Sequence, residues 1–97
     1  MYRIESSSQT LEKVLNTILA ANWVYQDWDS FRKTQKQETH AVKAQFCVLA
    51  SELGYSNAEI GAFMHQRQKT IEHYQRHFKD YTHRGIVDHV KQQLLNV

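Results

Sequence analysis

Residues 56–78, SNAEIGAFMHQRQKTIEHYQRHF, decide the fold. The stretch opens with Ser56-x-x-Glu59, a helix-start signature in which the Ser hydroxyl and the Glu carboxylate each satisfy a backbone N–H that has no helical partner. Ile60, Phe63 and Met64 follow at i, i+3 and i+4. Gln66, Arg67, Gln68, Lys69 and Thr70 interrupt the apolar pattern, and Ile71, Tyr74, Phe78 and Tyr81 resume it at helical spacing. Two short helices joined by a tight turn result. The second begins with long basic and amide side chains, the types that pair with base edges and reach phosphates. A helix-turn-helix needs such side chains at the start of the helix that enters the major groove.

The rest of the chain fits a small helical domain. It has 97 residues, no proline, three glycines and 41% hydrophobic content. One domain, 1–97, is expected, all-α, a helix-turn-helix bundle of five to six helices with the helix-turn-helix at 56–81. The apolar stripes predict helices near 9–22, 28–35, 39–53, 57–65, 68–81 and 86–96. Ser6 to Ser8 are placed to cap the first, in which Leu11, Val14, Leu15, Ile18 and Leu19 repeat on one face. Residues 1–8 read as a flexible tail. Trp23-Val24-Tyr25 forms an aromatic connection, and Arg32–His40 reads as a loop or a turning helix end. The 39–53 helix carries Val42, Phe46, Leu49, Ala50 and Leu53 in one stripe, and Gly54 suits the position just past its end. The centre of the core should be Val42, Phe46, Leu49, Ile60, Met64, Ile71, Tyr74 and Phe78.

The net charge of +2 is unevenly spread. Residues 1–30 hold two Lys/Arg against four Asp/Glu, whereas residues 31–97 hold ten against six and all six histidines. The basic excess coincides with the helix-turn-helix, where a DNA-facing surface requires it, although a solvated surface also carries such an excess. Candidate DNA-binding residues are Gln66, Arg67, Gln68, Lys69, Thr70 and His73, with Lys43 as a phosphate contact and Arg32 and Lys33 (and Lys36) as phosphate or minor-groove contacts. The bland alternatives are a solvated helix start, a surface lysine on the polar face of its helix, and a charged loop.

The order of these blocks resembles the C-terminal DNA-binding domain of the bacterial chromosomal replication initiator DnaA, a Trp-repressor-like helix-turn-helix domain. Asp29-Ser30-Phe31-Arg32-Lys33 is similar to that family's "aspartate–leucine, then basic" segment, and Lys43 falls where the family has an arginine. Leu49-Ala50-Ser51-Glu52-Leu53 is similar to its "Leu-Ala-x-Glu-Leu" helix end. Ser56-Asn57-Ala58-Glu59-Ile60-Gly61 resembles its "Ser-x-x-Glu-Ile-Gly", and Thr70-Ile71-Glu72-His73 its "Thr-Val-x-His". The resemblance runs from about Leu11 to Leu95 and implies double-stranded-DNA binding in replication initiation or transcriptional regulation. It departs at the turn: Met64–Thr70 has no glycine and no Asp-His pair, so a DNA site other than the family's origin box is expected. No G-x-x-x-x-G-K-[ST] loop occurs, so ATP hydrolysis by the family's ATPase module is not expected of these residues.

Other chemistry finds little support in the sequence. His73 and His77 are four apart and His83 six further on, but a zinc site usually needs three or four ligands, and no His-Glu-x-x-His run exists. Cys47 lies among Phe46, Val48 and Leu49, as a structural thiol does, and a lone cysteine fits a reducing compartment. No metal, cofactor, catalytic residue, small-molecule substrate or membrane association is expected, and the localisation expected is cytoplasmic, at the nucleoid. The competing reading is a helical adaptor without DNA binding, its working surface an apolar patch of Trp23, Val24, Tyr25 and Trp28.

Overall fold

Two kinds of local chemistry set the helix boundaries, and the computed structural model describes them for residues 10–22 and 37–95. At the first helix, α1 (Leu11–Ala21), the Thr10 hydroxyl accepts the Lys13 N–H at 3.1 Å. The cap is therefore Thr10, because a cap must sit within a residue or two of the first helical turn. Ser6 to Ser8, the 1–8 tail, the expected 28–35 helix, Trp23–Trp28, Arg32, Lys33 and Lys36 lie outside the described residues. After α1 come α2 (Gln37–Glu52), α3 (Asn57–Met64), α4 (Gln68–Arg76), α5 (Phe78–Tyr81) and α6 (Arg84–Leu95). The described residues are all-helical and contain no strand.

Helix α2 is the axle of the bundle. It packs against α1, α3, α4, α5 and α6. Val42, Ala44, Phe46, Cys47, Leu49 and Ala50 are all buried along it, and so are Lys43 and Gln45. From Val42 to Cys47 every residue of the helix is buried, so this stretch has no solvated face. This corrects the expectation for Lys43, which is 5% exposed and does not lie on a polar surface. Burial draws its ammonium below the ordinary lysine pKa. Helix α2 also begins earlier than its apolar stripe suggests, so residues 37–40 are helix and not loop.

Gln45, 1% exposed, links three segments. Its Oε1 accepts the Asn22 Nδ2–H at 2.8 Å, and its Nε2 donates to the Thr82 hydroxyl at 2.9 Å. The end of α1 and the α5–α6 connection are thereby tied to α2, and the buried amide is satisfied. Helix α6 is tied to the C-terminal turn of α2 by charge. Arg84 and Lys91 both donate to the Glu52 carboxylate, and Arg84 also reaches Asp88 one turn along its own helix. The Arg84 hydrogen bond is the main reason that Glu52 ionises below the usual carboxylate range. Helix α6 starts two residues before its first apolar residue, at Arg84.

The expected core is buried as a unit: Val42, Phe46, Leu49, Ile60, Met64, Ile71, Tyr74 and Phe78 all belong to it, joined by α1 and α6 side chains. The expected single helix 68–81 is two helices. The backbone breaks at His77 (φ −102, ψ 24), and α5 turns back onto α2, where Phe78 is 6% exposed. Among the described residues no helix is long and apolar enough to cross a membrane.

Candidate functional site

The segment α3–turn–α4 begins at the capping box read from the sequence. Ser56 Oγ accepts the Glu59 N–H at 3.1 Å and Glu59 Oε1 accepts the Ser56 N–H at 2.9 Å. Helix α3 ends as α2 does. After α2, Tyr55 N–H donates to the Ala50 carbonyl and Gly54 N–H to the Ser51 carbonyl, with Gly54 at φ 106. After α3, Gln66 N–H donates to the Gly61 carbonyl at 2.9 Å and His65 N–H to the Ala62 carbonyl at 3.4 Å. This is the same pair of helix-closing bonds, but His65 occupies the left-handed position (φ 59) where glycine is usual. The glycine that the turn requires is inside α3. A Cβ on Gly61 would lie 2.7 Å from the Gln66 carbonyl oxygen, so only glycine lets the chain fold back this closely.

Helix α4 then starts against the usual electrostatic preferences. Its N-cap is Arg67, whose side chain makes no capping bond, and its first turn has no acidic residue but contains Lys69. The N-terminus of a helix carries partial positive charge and favours anions. Two cations placed there cost the isolated helix stability and create a local field suited to an anionic partner.

The body of α4 is fixed on its inner side. Ile71 is fully buried and Tyr74 is 9% exposed. Gln75 Nε2 donates to Asn57 Oδ1 at 2.9 Å and, at 3.3 Å, to the Cys47 carbonyl, which pins α4 to the start of α3 and to α2. Gln68, Lys69, Glu72, His73 and Arg76 stand exposed along the other side, continuous with exposed His65, Gln66 and Arg67 in the turn. Thr70 is half-buried. The candidates Gln66, Arg67, Gln68, Lys69, Thr70 and His73 are thus brought together on one ridge. Lys43 is buried elsewhere, and Arg32 and Lys33 are not among the described residues.

Sequence reading singled out His73 and His77 but overlooked Asp80, His40 and the polar role of Tyr81 beside them. His73 Nε2 and the Tyr81 hydroxyl are 2.9 Å apart, and the His73 and His77 rings lie 4.6 Å apart by centroid. His77 Nδ1 meets Asp80 Oδ2 at 3.1 Å. His40, on α2, packs edge-on to Tyr74 and Tyr81. Tyr81 fitted the apolar stripe, and His40 is distant in sequence. Among the described residues no three His, Cys, Asp or Glu side chains converge on a point. Cys47 is fully buried with its Sγ 3.7 Å from Met64 Sδ, and burial pushes its thiol up to about 12. Such a thiol stays protonated and is a poor nucleophile. Compared with protein-family models, with curated proteins and with solved structures, the chain matches none.

Proposed function

We propose that this domain binds double-stranded DNA, with α3 and α4 as a helix-turn-helix and α4 as the helix that enters the major groove. The observation that carries the reading is the pinned α4 with its exposed ridge: a rigid helix, fixed from behind by Gln75, Ile71 and Tyr74, presents Arg67, Gln68 and Lys69 at its uncapped N-terminal end. Groove-reading helices use their N-terminal residues on base edges. Arg and Lys suit the acceptors of guanine, Gln suits adenine, and the Thr70 methyl suits the thymine methyl. The resemblance to the DNA-binding domain of DnaA replication initiators supports the same reading and suggests a role in replication initiation or transcriptional regulation, with localisation at the nucleoid. The reaction class implied is binding alone, without catalysis. Among the described residues Leu95 is the one large hydrophobic side chain left exposed; Trp23, Val24, Tyr25 and Trp28, on which the adaptor reading rests, lie outside them.

Selection from randomised duplexes tests the proposal. A short motif containing at least one guanine and differing from the origin box of the DnaA family is expected. Gln68→Ala should then weaken binding to that motif by about 1–3 kcal/mol while leaving non-specific binding nearly intact. Retention of no duplex even at low salt would reject DNA binding in favour of a protein partner.

A further inference from the structure

We propose that the hollow bounded by α2, α4 and α5 is a phosphate subsite that grips one backbone phosphate of a bound duplex. The assignment of the duplex as the source of the phosphate rests on the DNA-binding reading above. The hollow measures about 350 Å³ and is lined by His40, Lys69, Thr70, His73, Tyr74 and Tyr81. Every one of these side chains can present an N–H or O–H, and none is a carboxylate. Two acidic residues adjoin the lining in sequence: Asp80, held on His77 Nδ1, and Glu72, which precedes His73 and is exposed on α4 without lining the hollow. Lys69 and Thr70 belong to the first turn of α4, so the positive end of that helix adds to the donors.

The Tyr81–His73 pair gives the hollow its working donor. When His73 Nε2 carries its proton, it donates to Tyr81 Oη across 2.9 Å, and the tyrosine hydrogen is left to donate to an anion. A hydroxyl that accepts one hydrogen bond donates the next more strongly. His40 stacks edge-on against both Tyr74 and Tyr81, at centroid distances of 6.1 and 5.9 Å, and holds the rings in place from α2. One permanent cation, Lys69, among otherwise neutral or titratable donors matches the single charge of a phosphodiester. Free phosphate shares the chemistry, so the test must separate the two sources.

The test titrates isotope-labelled protein with inorganic phosphate, and separately with a short duplex, following the Thr70, His73 and Tyr81 signals by NMR. Saturable shifts with phosphate, displaced when duplex is added, are expected. Tyr81→Phe removes one hydrogen bond to a charged group and should weaken both phosphate and duplex about tenfold with an unchanged melting curve. His40→Gln, which keeps both groups of the donor pair but removes the ring packed against Tyr81, provides a second variant with the same expected direction. If duplex binds wild type and Tyr81→Phe equally and phosphate shifts nothing, the subsite is overturned and the DNA reading stands. If phosphate saturates the hollow but no duplex binds or displaces it, the duplex is overturned as the source and, with it, the DNA reading.

Discussion

At the scale of single residues, the turn between α3 and α4 depends on one missing atom and one unusual conformation. Gly61 admits the Gln66 carbonyl where a Cβ would lie 2.7 Å from the oxygen. Gly61→Ala must move the turn or the helix, so a loss of about 1–3 kcal/mol is expected in a urea denaturation, as for other overpacked sites. A neutral result would mean the turn is not this tight. Cys47 supplies a second residue-level test. Its thiol ionises near 12 when folded, against an ordinary value of 9.0, because burial excludes the thiolate. The folded state therefore keeps a proton that the unfolded state gives up between these values. The associated stabilisation is whole below 9.0 and is lost as the pH rises toward 12. Relative to Cys47→Ala, wild type should lose about 1 kcal/mol of stability for each pH unit above 9. Denaturation curves recorded from pH 7 to 11 would show a flat difference if the thiol were accessible.

At the scale of elements, α4 begins with a residue that a stable helix does not choose. Asp at an N-cap position accepts a backbone N–H and complements the dipole. Arg67→Asp should accordingly raise stability by about 1 kcal/mol in thermal melts while weakening duplex binding at least tenfold; stability falling together with binding would instead make Arg67 structural. Local rules broken without structural gain are characteristic of working surfaces. The comparison of sequence with structure divides along the same line. The Ser56–Glu59 capping box, the Gly54 helix end and the eight core residues were legible because cap chemistry and 3.6-residue periodicity are local signals. The break at His77 was not, since Ile71, Tyr74, Phe78 and Tyr81 keep helical spacing straight through it. Lys43 was misplaced for a different reason. A lysine reads as solvated in sequence, and only the packing of five helices around α2 shows that the turn carrying Lys43 is covered on all sides. The ridge Gln66–Lys69 was visible as a polar interruption, but its neighbours His40 and Tyr81 required the tertiary fold.

At the scale of the whole molecule, six of the eight described Lys/Arg, all but Lys13 and Lys79, separate into three groups by what holds them. Arg84 and Lys91 are committed to Glu52, and Lys43 is buried in the bundle. Arg67, Lys69 and Arg76 are exposed on the ridge and are drawn into no ion pair with a described carboxylate. With three cations against the one carboxylate of Glu72, the ridge is a positive face despite the modest net charge of the chain. The consequence is a specific salt dependence. If the three ridge cations each neutralise one phosphate, log affinity should fall linearly with log salt with a slope of about −2.7. Replacing any one of them with alanine should flatten the slope by about 0.9 and weaken all duplex sequences that lack a specific base contact alike. Arg84→Ala and Lys91→Ala should leave the slope unchanged and reduce stability by less than about 1 kcal/mol each, as expected of largely exposed ion pairs. Mobility shifts at several salt concentrations measure all five variants in one series. A slope that responds to Arg84 and Lys91 but not to the ridge would place the DNA-facing surface on α6, and the role assigned to α4 would have to be withdrawn.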